Sequence, residues 1–140
     1  MGGQAVFIDT GAFYALIDRD DPHHVIACKE WAEILRQKCL LIITCYIVSE
    51  TYTLLRYRLG WAIACKFLQV MEESRAQGRI RIIAVPERTE GVARHLLLQF
   101  GEEDLSYIDA VSLAAIKTER IPLAFSFDEH FQLAEAKVIP

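Results

Sequence analysis

With 140 residues, the chain has the length of a single domain that can bury a substantial core. Its formal net charge of −4 does not indicate a general nucleic-acid-binding surface, which is normally basic, although an acidic cluster that holds metal ions also makes the net charge negative. The apolar runs are too short for a membrane span, and residues 1–4 lack the basic segment of a targeting signal. We therefore expect one domain over residues 1–140, without membrane association and in the cytoplasm.

The cysteines do not indicate a metal site or a disulfide framework. They form no Cys-x-x-Cys pair, and no histidine lies at zinc-ligand spacing from them. We interpret them as small core side chains in a reducing compartment. They are Cys28, Cys39, Cys45 and Cys65.

The first predicted element is a strand from Ala5 to Ile8 that is apolar on both faces, as expected inside a parallel sheet. Asp9 and Thr10 follow, and an apolar helix begins there. In an open α/β sheet, ligands bind beyond the carboxyl ends of the strands, so Asp9 lies where a site is expected. The alternative is that Asp9 or Thr10 only caps the helix, because both residue types are favoured at that position.

The second predicted helix is amphipathic, with Asp21 as its cap and Pro22 as its first residue. His23 and His24 lie in its first turn, where adjacent side chains point in different directions, so a shared metal or acid–base role is disfavoured. Apolar residues at helical spacing predict the face that covers the sheet. They are Val25, Cys28, Trp31, Ala32 and Leu35.

Strands and helices continue to alternate, which predicts an α/β fold, a three-layer α/β/α sandwich with a mainly parallel central sheet. A strand over 40–43 leads through Thr44, as a cap, into a helix that ends near Leu59 and carries Glu50 at the margin of its apolar stripe. The later elements are a helix over 61–77, a strand near the sheet edge over 79–85, a helix over 87–100, an acidic loop over 101–104, a helix over 106–116, a strand over 121–127, a short helix from Asp128 and an edge strand over 137–139.

Four acidic side chains occupy comparable positions in this fold, two after strands and two in flanking helices. Some also have a structural explanation: Asp128 as a cap, and Ser106 with Asp109 as a capping box. Right-handed connections bring strand ends and flanking helices of a parallel sheet to one rim, so we expect the four acids to meet there. They are Asp9, Glu50, Asp109 and Asp128.

Carboxylates that meet in this way require a cation or a proton. Two of them about 4 Å apart repel by about 4 kcal/mol at an effective dielectric constant near 20. Oxygen ligands without a cysteine or a clear histidine partner favour Mg²⁺ or Mn²⁺ over zinc. Such ions suit phosphate-ester hydrolysis, because one ion can generate hydroxide from water and the same or a second ion can stabilise the leaving oxygen.

Four short motifs follow one another in order along nearly the whole chain. They are Phe7-Ile8-Asp9-Thr10-Gly11-Ala12, Thr44 with Ser49-Glu50-Thr51, Leu105-Ser106-Tyr107-Ile108-Asp109-Ala110, and Phe125-Ser126-Phe127-Asp128-Glu129-His130-Phe131. In their order and spacing they resemble the motifs of the PIN domain family. The likeness is greatest to the small single-domain PIN ribonucleases, including the VapC toxins of bacterial and archaeal toxin–antitoxin pairs.

The resemblance implies a ribonuclease that depends on Mg²⁺ or Mn²⁺ and hydrolyses RNA. By this likeness, Asp9, Asp109 and Asp128 are the principal metal ligands. Glu50 binds metal as well or orients the attacking water.

Other polar residues receive weaker assignments from the same likeness. Ser126 and Thr10 are candidates to hold an acid or a bound water by hydrogen bonding. Asp104 is either a further member of the metal shell or a solvated loop charge. Candidate phosphate contacts, equally explained as scattered surface charges, are Arg56, Arg58, Arg75, Arg79 and Arg81.

The resemblance further implies an antitoxin partner and a homodimer. An apolar antitoxin segment would bind to the helices that follow the first two strands, as a helix binds in a groove. The alternative, which the sequence supports equally well, is that these residues are ordinary core side chains. They are Tyr46, Tyr52, Leu55, Leu59 and Trp61.

Other enzyme classes lack a required residue in this chain. Haloacid-dehalogenase-like phosphatases need a second acid two residues after the first, where this chain has Gly11. A receiver domain needs an acceptor Asp at the end of its third strand, where this chain has Pro86-Glu87. No phosphate-binding glycine loop is present in the sequence. The remaining alternatives are a PIN-like binding or regulatory module without turnover and another metal-dependent phosphoesterase.

Overall fold

The computed structural model describes residues 3–140, so the first two residues of the expected domain lie outside the described residues. The strands are β1 (Ala5–Ile8), β2 (Leu40–Thr44), β3 (Ile80–Ile83), β4 (Leu123–Phe125) and β5 (Lys137–Ile139). The helices are α1 (Thr10–Ile17), α2 (His24–Arg36), α3 (Cys45–Arg58), α4 (Trp61–Ala76), α5 (Glu87–Gln99) and α6 (Tyr107–Thr118), with a short 3₁₀ helix at Glu129–Leu133.

The strands form one parallel sheet with the order β3-β2-β1-β4-β5. Two connections step outward from β1 to β3, and the third returns past β1 to β4. Because such crossovers are right-handed, the first four helices cover one face and α5 and α6 cover the other. Contacts of α1 with α2 and α3, of α3 with α4, and of α5 with α6 agree with this arrangement. The predicted three-layer α/β/α sandwich is confirmed.

The strand order reverses beside β1, which is the most buried strand. Val6, Phe7 and Ile8 are completely buried between the two helical layers. The backbone N–H of Asp9 donates to the carbonyl of Phe125 at 3.1 Å, so the chain that leaves β1 stays against β4. In parallel sheets, a crevice opens at the carboxyl ends of the strands where the order reverses. The fold therefore places Asp9 at the mouth of this crevice.

The predicted buried face of α2 is wrong except at Trp31. Ala27 and Ile34 are buried, and Trp31 packs against the core. Val25 and Leu35 are 69% and 55% exposed. The reason is that α2 packs on α1, and the face that α2 buries depends on this neighbour, which helical periodicity does not identify.

The start of α2 also differs from the prediction. The helix begins at His24, with His23 at the cap position. The Asp21 side chain instead accepts a hydrogen bond from the His23 backbone N–H at 2.8 Å, which forms a turn before the helix. Asp21 and Pro22 therefore belong to a connecting turn.

The ends of two strands and the burial of the cysteines differ from the sequence-based predictions in smaller ways. The third and fourth strands are shorter than 79–85 and 121–127, because pairing stops while apolar side chains such as Ile121 continue into the core. The cysteines are free thiols, and their interpretation as core residues is wrong for Cys28 and Cys45, which are exposed. Cys39 and Cys65 are half-buried, and Cys39 packs against the core. Within residues 3–140, the helices are too short or too polar to cross a membrane.

Candidate active site

Asp9 is a buried carboxylate at the end of the central strand. Its side chain makes no capping hydrogen bond to α1, although Asp9 occupies the cap position. Its Oδ2 instead accepts a hydrogen bond from the Ser126 Oγ at 3.1 Å. The alternative in which Asp9 only caps the helix is therefore wrong.

Burial makes the ionised form of Asp9 costly. Loss of solvent raises the pKa of Asp9 to about 7, the Ser126 hydrogen bond opposes this rise, and the nearby charges of Asp109 and Asp128 add to it. The side chain is only 6% exposed. A cation bound beside it would remove this cost.

Ser126 connects two of the predicted site acids. Its hydroxyl donates to Asp9 and accepts from the backbone N–H of Asp128 at 3.0 Å. The Oδ1 of Asp128 then accepts from the backbone N–H of His130 at 2.9 Å, which starts the 3₁₀ helix. Both acids are thus oriented from β4, and the role proposed for Ser126 in holding an acid fits this geometry.

Thr10 holds the helices around the site together. The Thr51 hydroxyl donates to the Thr10 hydroxyl at 3.4 Å, and both side chains are buried. This contact joins α1 to α3, the helix that carries Glu50. Thr10 therefore joins two helices around the cleft, and its predicted role in holding an acid or a bound water stays a prediction.

Asp109 takes part in the cap of α6 and also lines the cleft. Its Oδ2 accepts from the Ser106 backbone N–H at 3.3 Å, and its own backbone N–H donates to the Ser106 Oγ at 3.0 Å. This reciprocal pair is the predicted capping box of α6. Burial, followed by the charge of Asp128, raises the pKa of Asp109. The carboxylate is fixed by the helix start and still faces other acids.

His130 is a candidate site residue to which the sequence analysis gave no role. Potential ligand atoms of Asp109, Asp128 and His130 lie within 4.8 Å of one another. The His130 Nδ1 lies 2.9 Å from the Asp128 Oδ1, but the geometry is not that of a hydrogen bond, and among residues 3–140 this buried nitrogen has no hydrogen-bond partner. The expectation that the acids lack a clear histidine partner is therefore wrong. The sequence contained one signal for His130, which is its position two residues after Asp128.

One cleft of about 470 Å³ unites the four predicted acids. Glu50 reaches it from α3 as a half-buried side chain, whereas Asp104 is exposed in its loop and does not line the cleft. The geometry therefore supports one acidic site without Asp104. The lining residues are Asp9, Thr10, Gly11, Tyr14, Asp21, His23, Glu50, Leu54, Arg58, Ser106, Asp109, Phe127 and Asp128.

An imidazole ring stacked on an aromatic ring forms part of the cleft wall. The rings of His23 and Phe127 are nearly parallel, with their centroids 4.4 Å apart. The adjacent His24 turns away and places its Nδ1 2.7 Å from the carbonyl of Ala15. The two histidines do point in different directions, as expected, and only His23 lines the cleft.

The family follows from the sequence match. The PIN domain family model matches residues 6–137. This chain belongs to the PIN domain family. It is 28% identical over 129 residues to the 23S rRNA-specific endonuclease VapC20 of Mycobacterium tuberculosis, covering 92% of this chain and 93% of that protein. It is 31% identical over 131 residues to a VapC ribonuclease of Archaeoglobus fulgidus, covering 92% of this chain and 80% of the relative.

Solved structures of PIN proteins share this fold. The crystal structure of Mycobacterium tuberculosis VapC20, described as a sarcin–ricin loop cleaving toxin, superposes with a TM-score of 0.84 at 28% identity and covers 97% of this chain and 100% of that one. A toxin–antitoxin complex from Klebsiella pneumoniae gives a TM-score of 0.61 at 17% identity, covering 98% of this chain and 97% of that one. The second likeness concerns the fold alone.

Proposed function

We propose that this PIN domain protein is a metal-dependent endoribonuclease that hydrolyses RNA phosphodiester bonds, and that it is the toxin of a toxin–antitoxin pair. The observation that carries the proposal is the single cleft lined by Asp9, Glu50, Asp109 and Asp128. Two relatives that align with 92% of this chain are named as a 23S rRNA-specific endonuclease and a ribonuclease, which supports RNA as the substrate.

The donor set fits a divalent cation. Asp9 and Asp109 have raised pKa values chiefly because they are buried, and Asp128 lies close enough to repel both. Oxygen donors of this kind suit Mg²⁺ or Mn²⁺. We propose that Asp9, Asp109 and Asp128 hold the cation and that Glu50 faces it from α3. When bound, the cation lowers the pKa of water and stabilises charge on the leaving oxygen.

The remaining side chains hold these acids in place. The Ser126 hydroxyl fixes the distance between Asp9 and the start of the Asp128 turn. Glu50 is the acid without a hydrogen bond to the Ser106 or Ser126 anchors, so we assign it the orientation of the attacking water. The unpartnered Nδ1 of His130 lies beside Asp128 and can donate to a ligand or accept from a bound water.

We also propose a homodimer and an antitoxin partner, in the cytoplasm, where the free thiols would stay reduced. The groove predicted from sequence needs revision, because Leu55 is completely buried in the core while Trp61 is 62% exposed. An apolar groove of about 310 Å³ between α1, α2 and α4 is the better candidate for an apolar antitoxin segment. A monomer that stays soluble alone at high concentration would count against both assemblies.

The decisive experiment is RNA cleavage with a panel of single-stranded and structured RNAs, including a sarcin–ricin loop, with Mg²⁺ or Mn²⁺ and with EDTA. Asp9→Asn should abolish cleavage, and Asp104→Asn, an exposed acid outside the cleft, should leave it unchanged. Absence of both cleavage and calorimetric metal binding would contradict the proposal and favour a binding module without turnover.

A further inference from the structure

The cleft contains one arginine among its acids. RNA is a polyanion, and a site built from four carboxylates needs positive charge beyond the metal to hold the phosphates on either side of the cleaved bond. Within residues 3–140, Arg58 is the one Arg or Lys side chain that lines the cleft. It lies in the last turn of α3.

The structure separates Arg58 from the other arginines proposed as phosphate contacts. Arg75 pairs with Glu72, and Arg81 pairs with Glu119. Arg56 and Arg79 do not line the cleft. Among the described residues, Arg58 forms no ion pair with an acid. The guanidinium lies close enough to the Tyr14 hydroxyl to oppose the rise in the pKa of Tyr14, and its remaining N–H groups are available to a ligand.

A buried tyrosine holds the Arg58 side chain in position. The guanidinium carbon lies 5.3 Å from the centroid of the Tyr14 ring, at the distance of a cation–π contact. Tyr14 is itself fixed, because its hydroxyl donates to the Asp18 Oδ2 at 2.6 Å. The other oxygen of Asp18 accepts from the backbone N–H of Asp20 at 2.9 Å. Asp18 keeps its charge: its hydrogen bonds to Tyr14 and Asp20, and to a smaller extent Arg58, lower its pKa, so it attracts the guanidinium without forming an ion pair with it among residues 3–140.

The position of Arg58 along α3 defines what it can reach. Glu50, Leu54 and Arg58 are spaced four residues apart and line the same cleft. Eight residues of α-helix separate Glu50 from Arg58 by about 12 Å along the axis. The acid end of the cleft therefore receives the reacting phosphate, and the arginine end lies beyond it along the path of the strand.

We propose that Arg58 binds an RNA phosphate next to the one that is cleaved and thereby fixes the register of the strand in the cleft. A guanidinium presents parallel N–H groups that fit two phosphate oxygens. This inference rests on the proposed function, because it assigns part of the same site. Arg58 is a positioning residue and takes no part in bond cleavage.

The first test measures binding apart from catalysis. Fluorescence anisotropy follows a labelled 20-nucleotide single-stranded RNA and a labelled sarcin–ricin hairpin, with Mg²⁺, on Asp9→Asn protein. Adding Arg58→Ala should weaken binding of at least one RNA by about tenfold or more, as expected for a lost charge-assisted contact. Arg56→Ala, an exposed arginine on the same helix outside the cleft, is the matched control.

The salt dependence identifies the contact as one with a phosphate. The slope of log K against log salt concentration should fall by about 0.7 in Arg58→Ala and stay unchanged in Arg56→Ala. Arg58→Lys should keep this slope while binding more weakly than arginine, because the charge remains and the bidentate fork is lost. Equal affinity and equal slope for the Arg58→Ala and Arg56→Ala proteins, or no RNA binding by the Asp9→Asn protein, would overturn the inference.

Kinetics separate this inference from the proposed function. In otherwise unaltered protein, Arg58→Ala should raise KM and leave kcat within about twofold, because a flanking contact is made equally in the ground and transition states. RNA binding that depends on Arg58, in a protein that neither cuts the RNAs nor binds metal, would sustain the phosphate contact of Arg58 and contradict the nuclease. Cleavage by the Arg58→Ala protein with an unchanged KM would sustain the nuclease and contradict the role of Arg58.

Discussion

At the scale of single residues, the burial of Asp9 links stability to pH in the metal-free protein. Its folded-state pKa of about 7 exceeds the ordinary value of 3.8, so the folded state keeps a proton that the unfolded chain releases. The resulting stability is fully present below about pH 4 and is lost as pH rises through about 7. We expect urea unfolding in EDTA to show a fall on the order of 3 kcal/mol across this range.

Asp9→Asn removes the group with the large pKa shift and should reduce this pH dependence, leaving the contribution of Asp109, whose pKa burial also raises. Asp104→Asn, which changes an exposed acid, should leave the slope unchanged. Equal slopes for the Asp9→Asn and unaltered proteins would show that another group causes the effect. Added Mn²⁺ should raise the stability of unaltered protein at pH 8 far more than that of the Asp9→Asn variant, because ligand binding to the folded state stabilises it.

Two buried serines give a matched test of how the site acids are held. The Ser126 hydroxyl bonds to Asp9 and to the backbone of Asp128, whereas the buried Ser112 hydroxyl has no hydrogen-bond partner in the part of the chain that the structure describes. Ser126→Ala should weaken Mn²⁺ binding by about 10- to 100-fold in calorimetry, as for other groups that orient ligands. Ser112→Ala should leave metal binding unchanged and raise the free energy of unfolding by up to about 1 kcal/mol. Similar metal affinities for the two variants would contradict the role of Ser126.

At the scale of elements, the start of α6 connects helix stability to the site. The Ser106 hydroxyl caps the helix, and residues 110–116 of this helix are all buried. Ser106→Ala should lower the free energy of unfolding by about 1 kcal/mol, and Ser106→Thr should lower it by less. Urea titrations at pH 8 with metal measure this difference. A loss as large for threonine as for alanine would mean that the cap contributes little.

The sequence predicted those elements whose signals are local. Thr44 accepts the hydrogen bond from Ile47 that its position before α3 indicated, at 3.3 Å, and Ser106 forms the expected capping box. Both bonds join a side chain to a backbone group three residues away, so the sequence contains the whole interaction. The inward face of α2, in contrast, depends on the surface of α1, and periodicity identified Val25 and Leu35 instead of Ala27 and Ile34.

The same distinction applies to the candidate site. The four acids could be found because each combines a chargeable residue type with a strand end or a helix start. His130 and Arg58 could not be singled out, because their importance lies in side-chain geometry: an unpartnered nitrogen beside Asp128 in one case and a guanidinium held by Tyr14 in the other. The candidate arginines differ in whether an acid pairs with them and in whether they line the cleft, and the sequence shows neither.

At the scale of the whole molecule, α6 joins two groups of buried side chains. Its Leu113 and Ile116 belong to the main core around the sheet, while its Ala110 and Val111 pack with Ala93 of α5. Opening of α5 therefore exposes side chains on the helix that also supports the sheet. This coupling supports the prediction of one domain over residues 1–140.

A cooperative domain should respond as a unit to a disturbance of the α5–α6 contact. Ala93→Leu adds volume where the side chain is completely buried, so we expect a loss of about 1–3 kcal/mol, whereas Ala62→Leu on the exposed surface of α4 should have little effect. Far-ultraviolet circular dichroism should report the same shifted midpoint as the fluorescence of Trp31 and Trp61, which lie on the opposite face of the sheet from α5. If α5 instead unfolded first, circular dichroism would change while tryptophan fluorescence stayed native, and the chain would consist of two units that fold separately.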